Sequence, residues 1–257
     1  MPLGCATSGS LAAHVTTLPP DVSAALEALG RGLRADAGDN LLGLILYGGL
    51  ARGRYVEGTS DINIVVYLRD ASAASMSAIA PRLHEAWRTH RVDPFIITPR
   101  EIARLTVVFP TKMLDIQRRH VVLAGENPFE GLTVDNEHIR LRVEQELRNL
   151  LLRLRHRFVR VRDDQLSLVQ AASDAAPTLA VNLRALLLLQ GIVSDEFQPA
   201  LAIFELAAKT FQLDAEALAA TKRVHQGRDD ASIDAALFAR LLATIEKAAD
   251  LTVTAGR

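Results

Sequence analysis

Two short apolar runs, "LLGLILYG" at 41–48 and "INIVVYL" at 62–68, are joined by a loop rich in glycine and charge. Both are rich in Leu, Ile and Val and too short to stand alone as helices, so they read as buried strands. The whole stretch, "LYGGLARGRYVEGTSDINIVVYL", raises the question of what such a loop does between two core strands.

The remainder of the chain supplies the elements around this pair. Val22, Leu26, Leu29 and Leu33 follow i, i+4, i+7, i+11, which predicts a first helix after Pro19 and Pro20. Residues 72–90 read as a second helix through Met76, Ile79, Leu83 and Trp87, with Pro81 requiring a late start or a kink. "VDPFIIT" at 92–98 reads as a third strand, at an edge or a strand start because of Pro94, and "VVLAG" at 121–125 as a fourth. Thr98, Pro99 and Glu101 form a capping box that predicts a helix beginning there.

Beyond Asn136 no strand-like run occurs. Val143, Leu147, Leu150, Leu154, Phe158 and Val161 predict a helix of about 25 residues with one buried stripe. "PTLAVNLRALLLLQ" at 177–190 reads as the central helix of a bundle, with Pro177 near its start and Gly191 at its end. Amphipathic segments follow at about 199–212, 214–225 and 232–250. The expected organisation is a loose tail over 1–18, an α/β (α+β) domain with a small mixed sheet over 19–135, and an all-α helical bundle over 136–257.

Composition limits the chemistry. A net charge of −1 gives no global pull toward nucleic acid or an anionic membrane. Cys5 is the only cysteine, which excludes an internal disulfide and a thiolate zinc site and fits a cytoplasmic protein. No apolar run approaches the ~20 residues of a membrane span. The seven histidines show no HxxxH or HxH pairing, and no GxSxG, Walker or GxGxxG pattern occurs. His120 reads as structural.

The loop is the exception. Gly48 and Gly49 follow a strand directly, and paired glycines let backbone N–H groups approach a bound group without a Cβ in the way. Arg52 and Arg54 add fixed positive charge that suits a polyphosphate. Eleven residues on, Asp61 and Asn63 stand at i and i+2, on one face of the next strand. Oxygen ligands beside a glycine turn can cradle a hard cation and its phosphate partner. An isolated Gly-Gly is usually only a turn; the spacing to Asp61-Ile62-Asn63 is what lifts this one above that reading.

Gly48-Gly49, eleven residues and Asp61-Ile62-Asn63 resemble the signature of the polymerase-β-like nucleotidyltransferase superfamily. The two-domain layout is similar to kanamycin-type nucleotidyltransferases. The resemblance implies that Gly48, Gly49, Arg52 and Ser60 bind a nucleoside triphosphate, ATP or GTP, and that Asp61 ligates Mg²⁺. Asn63 falls where the family has a second acid, and Asp93 is the candidate third acid; as a solvated strand-start residue it has an equally simple reading. The implied reaction is transfer of a nucleoside monophosphate to a small-molecule or protein acceptor, attenuated by Asn63. The expected partners are that nucleotide and acceptor, with a homodimer allowed and neither membrane nor nucleic acid expected.

An amide can ligate Mg²⁺ but brings no charge. A charge pair at ~4 Å is worth ~4 kcal/mol at the effective dielectric near a protein surface. Losing most of that in the transition state slows transfer on the order of a hundredfold to a thousandfold. The alternative is therefore a nucleotide-binding or regulatory module that performs no transfer; a protein-binding role for the helical half is a third option. Two further features have bland and sharp readings. Glu144 and Glu146 are surface carboxylates or, by the resemblance, a base toward the acceptor. Arg148, Arg155 and Arg162, at seven-residue steps, are a salt-bridged flank or a receptor for phosphate or an acidic partner.

Overall fold

The computed structural model describes residues 18–53, 55–56, 58–192, 200–228 and 232–253. The expected N-terminal tail, apart from Leu18, and Arg54 lie outside the described residues. By contact the chain forms two compact units: residues 18–96 with His120–Glu126, and Ile97–Arg119 with residues 127–253.

The first unit is built on a small mixed sheet of order β3-β2-β1-β4. Strands β1 (Leu41–Tyr47) and β2 (Ile62–Leu68) pair antiparallel, with Leu46 opposite Ile64 and Tyr47 opposite Asn63. Strand β4 (His120–Gly125) pairs antiparallel on the other side of β1 and sets His120 opposite Tyr47. Strand β3 (Val92–Ile97) flanks β2 and is reached through a crossover helix, α3 (Ala73–His90). Helix α1 (Pro20–Ala37) buries the predicted stripe Val22, Leu26, Leu29 and Leu33. That stripe shares one core with Leu44 and Leu46 of β1, Ile62, Ile64 and Val66 of β2, and Ile79 and Leu83 of α3. Fully burying a leucine or isoleucine contributes about 1.5–3 kcal/mol, so this shared core is what fixes the strand ends. Helix α3 starts where predicted, with the Ser72 hydroxyl accepting from the Ser75 N–H, and carries Pro81 inside rather than starting late.

The second unit holds only helices among its described elements, apart from the last residue of β3. Glu101 Oε2 accepts from both the N–H and the hydroxyl of Thr98, each at 2.8 Å, but the expected helix does not begin at this pair: residues 99–101 form a turn and the helix starts at Ile102, with Glu101 before it as the cap residue. Helices α4 (Ile102–Val108) and α5 (Pro110–Arg118) follow it and belong by contact to this unit. Helix α6 (Asn136–Val161) buries the predicted stripe through Leu154, and Phe158 stacks on Phe238 at 5.7 Å.

Helix α7 corrects the sequence reading. It runs Gln165–Leu189, so Pro177 sits mid-helix instead of near the start. Two forces override the proline. Asp164 caps the helix by accepting from the Ser167 N–H, and Leu168, Ala171, Ala172, Ala175 and Ala176 continue the buried surface upstream. Proline removes the hydrogen bond to the carbonyl four residues earlier. That carbonyl belongs to Ser173, and it meets His225 Nδ1 at 2.9 Å instead. Helices α8 (Ile203–Phe211), α9 (Ala215–His225) and α10 (Ala235–Thr252) complete the core around α7. No described helix is long and apolar enough to cross a membrane.

Candidate functional site

The chain leaves β1 into a single helical turn, α2 (Gly48–Ala51), with extended Tyr47 as its cap. Gly48 adopts φ +79°, a left-handed conformation that costs other residues ~1–2 kcal/mol. A Cβ built on Gly48 would lie 3.0 Å from Asn63 Nδ2 and 3.4 Å from its Cβ and Cγ. The backbone angle therefore favours glycine at 48, and a Cβ there would also press on the Asn63 side chain, which would have to shift by a few tenths of an ångström. The turn and the start of β2 are in contact at Gly48 and Asn63, the residues that the sequence singled out.

Gly49 and Arg52 lie on the same turn, where the Arg52 N–H donates to the Gly49 and Leu50 carbonyls. Ser60 closes the loop: its N–H donates to the Val56 carbonyl at 2.9 Å, and its hydroxyl accepts from the Val56 N–H at 3.0 Å. The hydroxyl proton stays available to an incoming acceptor atom.

At the head of β2, the Ile62 N–H donates to the Arg91 carbonyl at 3.0 Å. Ile62 and Val92 point together into the core. Strand alternation then turns Asp61, Asn63, Arg91 and Asp93 to the opposite face. The structure thus puts Asp93 on the face that carries Asp61 and Asn63, exposed on the neighbouring strand.

Asp61 has a partner that sequence reasoning missed. Its Oδ1 accepts from Arg91 Nε at 2.9 Å and from an Arg91 terminal nitrogen at 2.7 Å. Arg91 is held for this contact by its backbone, at φ 53° in the left-handed C-cap of α3, and its guanidinium lies 5.8 Å from the centre of the Trp87 ring. The two side chains are 43% and 48% exposed, so the pair is of modest strength and can open. The available signal was positional: Arg91 stands one residue before β3, as Asp61 stands one residue before β2. Asn63 is half-buried, and its Nδ2 donates to the Asp61 carbonyl at 3.4 Å, which leaves its own amide oxygen for a cation.

The donor set bears on magnesium. Two-metal sites need carboxylates that bridge the ions. Among the described residues no group of three or more His, Cys, Asp or Glu side chains is placed to hold a metal. One Asp61 oxygen is bonded to a guanidinium, and position 63 is neutral. The residues present fit a single cation that arrives already chelated by phosphates, and they do not fit a prebuilt two-metal centre.

In the helical unit, Glu144 pairs with Arg140 at 3.3 Å and Glu146 with Arg142 at 2.6 Å. Arg148 and Arg155 bond Asp250 and Glu246 of α10, at 2.7 and 2.6 Å, and Arg162 lies 3.5 Å from Asp163. The seven-residue arginine flank is therefore a salt-bridged one.

By sequence the chain matches no known family model and no characterised protein. By structure it resembles a spectinomycin adenyltransferase, AAD(9) from Enterococcus faecialis, crystallised with ATP and spectinomycin. That likeness has a TM-score of 0.53 at 14% identity and covers 90% of this chain and 98% of that one. A nucleotidyltransferase-like protein from Exiguobacterium sibiricum aligns over 90% of this chain and 77% of its own, at 13% identity and a TM-score of 0.41. With a sheet of order β3-β2-β1-β4, a glycine turn after its first strand and a run of helices after residue 135 in the chain, the chain has a nucleotidyltransferase-like fold.

Proposed function

We propose that the site at Gly48, Gly49, Arg52, Ser60, Asp61 and Asn63 binds a nucleoside triphosphate and slowly transfers its nucleoside monophosphate to a hydroxyl or phosphate oxygen of a small-molecule or protein acceptor, which loses its proton where it is a hydroxyl, as the bond between the α- and β-phosphates breaks and pyrophosphate leaves. The observation that carries this reading is the left-handed Gly48 turn in contact with Asn63, two residues along the strand from Asp61. The ATP bound by the spectinomycin adenyltransferase supports a triphosphate as donor. In this reading the turn receives the phosphates on backbone N–H groups and Arg52 adds positive charge. A Mg²⁺ ion delivered with the phosphates would be held by Asp61 and the amide oxygen of Asn63, with Asp93 as third ligand, and would there supply positive charge to the α-phosphate and the leaving pyrophosphate. Asp61 must first release Arg91. Cytoplasmic location and self-association into a homodimer belong to the same reading.

A second reading is favoured by the Asp61–Arg91 ion pair: a nucleotide-binding module that transfers nothing, with the guanidinium resident where a metal would sit. Incubation with labelled ATP or GTP, Mg²⁺ and candidate acceptors separates the two. Slow label incorporation by the natural protein supports transfer; saturable nucleotide binding with incorporation only in an Asn63→Asp variant supports the module. Absence of saturable, Mg²⁺-dependent nucleotide binding overturns both.

A further inference from the structure

The eight arginines of α6 and its end are not equivalent. Arg140, Arg142, Arg148 and Arg155 each bond a carboxylate within 3.3 Å. Arg153, Arg157 and Arg160 form no ion pair among the described residues, and they recur at i, i+4 and i+7, on one stripe of the helix. Together with His156 they rim a groove of about 440 Å³ between α6 and α7. Its floor is apolar, with Leu150, Leu154 and Ala175 buried beneath it. Among the described residues one carboxylate lines the groove, Asp174, whose Oδ1 accepts from Gln170 Nε2 at 2.7 Å. Asp164, the α7 cap, is held below its ordinary range chiefly by the Ser167 hydroxyl, with Arg157 contributing least, from a distance.

We propose that this groove binds a phosphorylated small molecule with an apolar body, at a site distinct from the glycine turn. The volume falls in the range of small-molecule pockets, and such sites combine an apolar floor with a few polar anchors. Guanidinium forks match phosphate oxygens in pairs, and three of them spaced over about 10 Å of helix can hold a phosphate or diphosphate at one end while the floor takes the apolar part. A nucleic acid fits less well, since among the described residues no Phe, Tyr or Trp lines the groove and the chain carries a net charge of −1.

The test uses the full chain and 1-naphthyl phosphate as probe, followed by calorimetry in metal-free buffer. Saturable binding is expected, weakened at least about thirtyfold in an Arg153→Ala/Arg157→Ala/Arg160→Ala variant. Affinity should be unchanged in an Arg148→Ala/Arg155→Ala variant and in Gly48→Val. Should the triple variant lose its helical circular dichroism, the single Arg157→Gln variant reads the same loss at about threefold to tenfold. The proposal is overturned by no saturable binding, by unchanged affinity without these arginines, by an equal loss in the control flank, or by loss of binding in Gly48→Val. Because no nucleotide is used, failure of the nucleotide reading would leave this result standing.

Discussion

The two halves of the candidate site are built to different standards. On the turn side, Gly48 is favoured by its positive φ and lies close against Asn63, and the strands beneath it are buried on both sides. On the carboxylate side, Asp61 is 43% exposed and bonded to Arg91, position 63 is an amide, and Asp93 is exposed. The comparison teaches that the turn's backbone is tightly held where the carboxylate charge beside it is thin. Under the proposed function, binding should be robust and transfer weak.

Four changes break or sharpen that contrast. The largest effect should come from Asn63→Asp, which returns a charge to the metal side: transfer rises on the order of a hundredfold in a label-incorporation assay, while nucleotide affinity changes far less. A variant with unchanged transfer would show that the amide is not what limits the site. Next is Gly48→Val. Strain at φ +79° and crowding against Asn63 should cost about 2 kcal/mol of stability by denaturant titration and weaken nucleotide binding at least about tenfold. Retained affinity in a folded variant would remove the turn from the site.

Arg91→Gln should act only on the metal side. With the ion pair gone, the Mg²⁺ concentration for half-maximal nucleotide binding falls by about twofold to fivefold, in line with a half-exposed pair. An increase instead would make Arg91 a helper of binding and not a competitor. The smallest effect serves as a control in the helical unit. Asp214, the α9 cap, is held below its ordinary 3.8, chiefly by Arg240. A depressed carboxyl contributes stability that is fully present above the unfolded value and lost as pH falls through the lower folded value. Acid unfolding of Asp214→Asn should therefore lose part of its pH dependence below about pH 4, with less than about 1 kcal/mol lost at neutrality and nucleotide affinity untouched.

Much of this was legible in the sequence because it is local. The stripe of Val22, Leu26, Leu29 and Leu33 and the run Ile62 to Leu68 are short-range patterns, and each formed where expected, whereas Thr98 and Glu101 paired but the helix began only at Ile102. The α7 start was misplaced because proline is a strong local signal, whereas the Asp164 cap and the alanine surface before Pro177 act together only once the bundle is packed. Arg91 was invisible for the same reason. Thirty residues separate it from Asp61, and only the crossover through α3 brings the two strand starts side by side. The arginines of α6 show the limit most plainly: a seven-residue spacing marked Arg148 and Arg155, but their acidic partners lie on α10, so the flank with no ion pair among the described residues is Arg153, Arg157 and Arg160.

The central claim is that the turn binds a nucleotide whether or not the carboxylate side supports chemistry. A calorimetric titration of ATP into the natural protein, with and without Mg²⁺, addresses it directly. The account predicts saturable binding that strengthens with Mg²⁺ and weakens in Gly48→Val; a titration with no saturation in either buffer would contradict it.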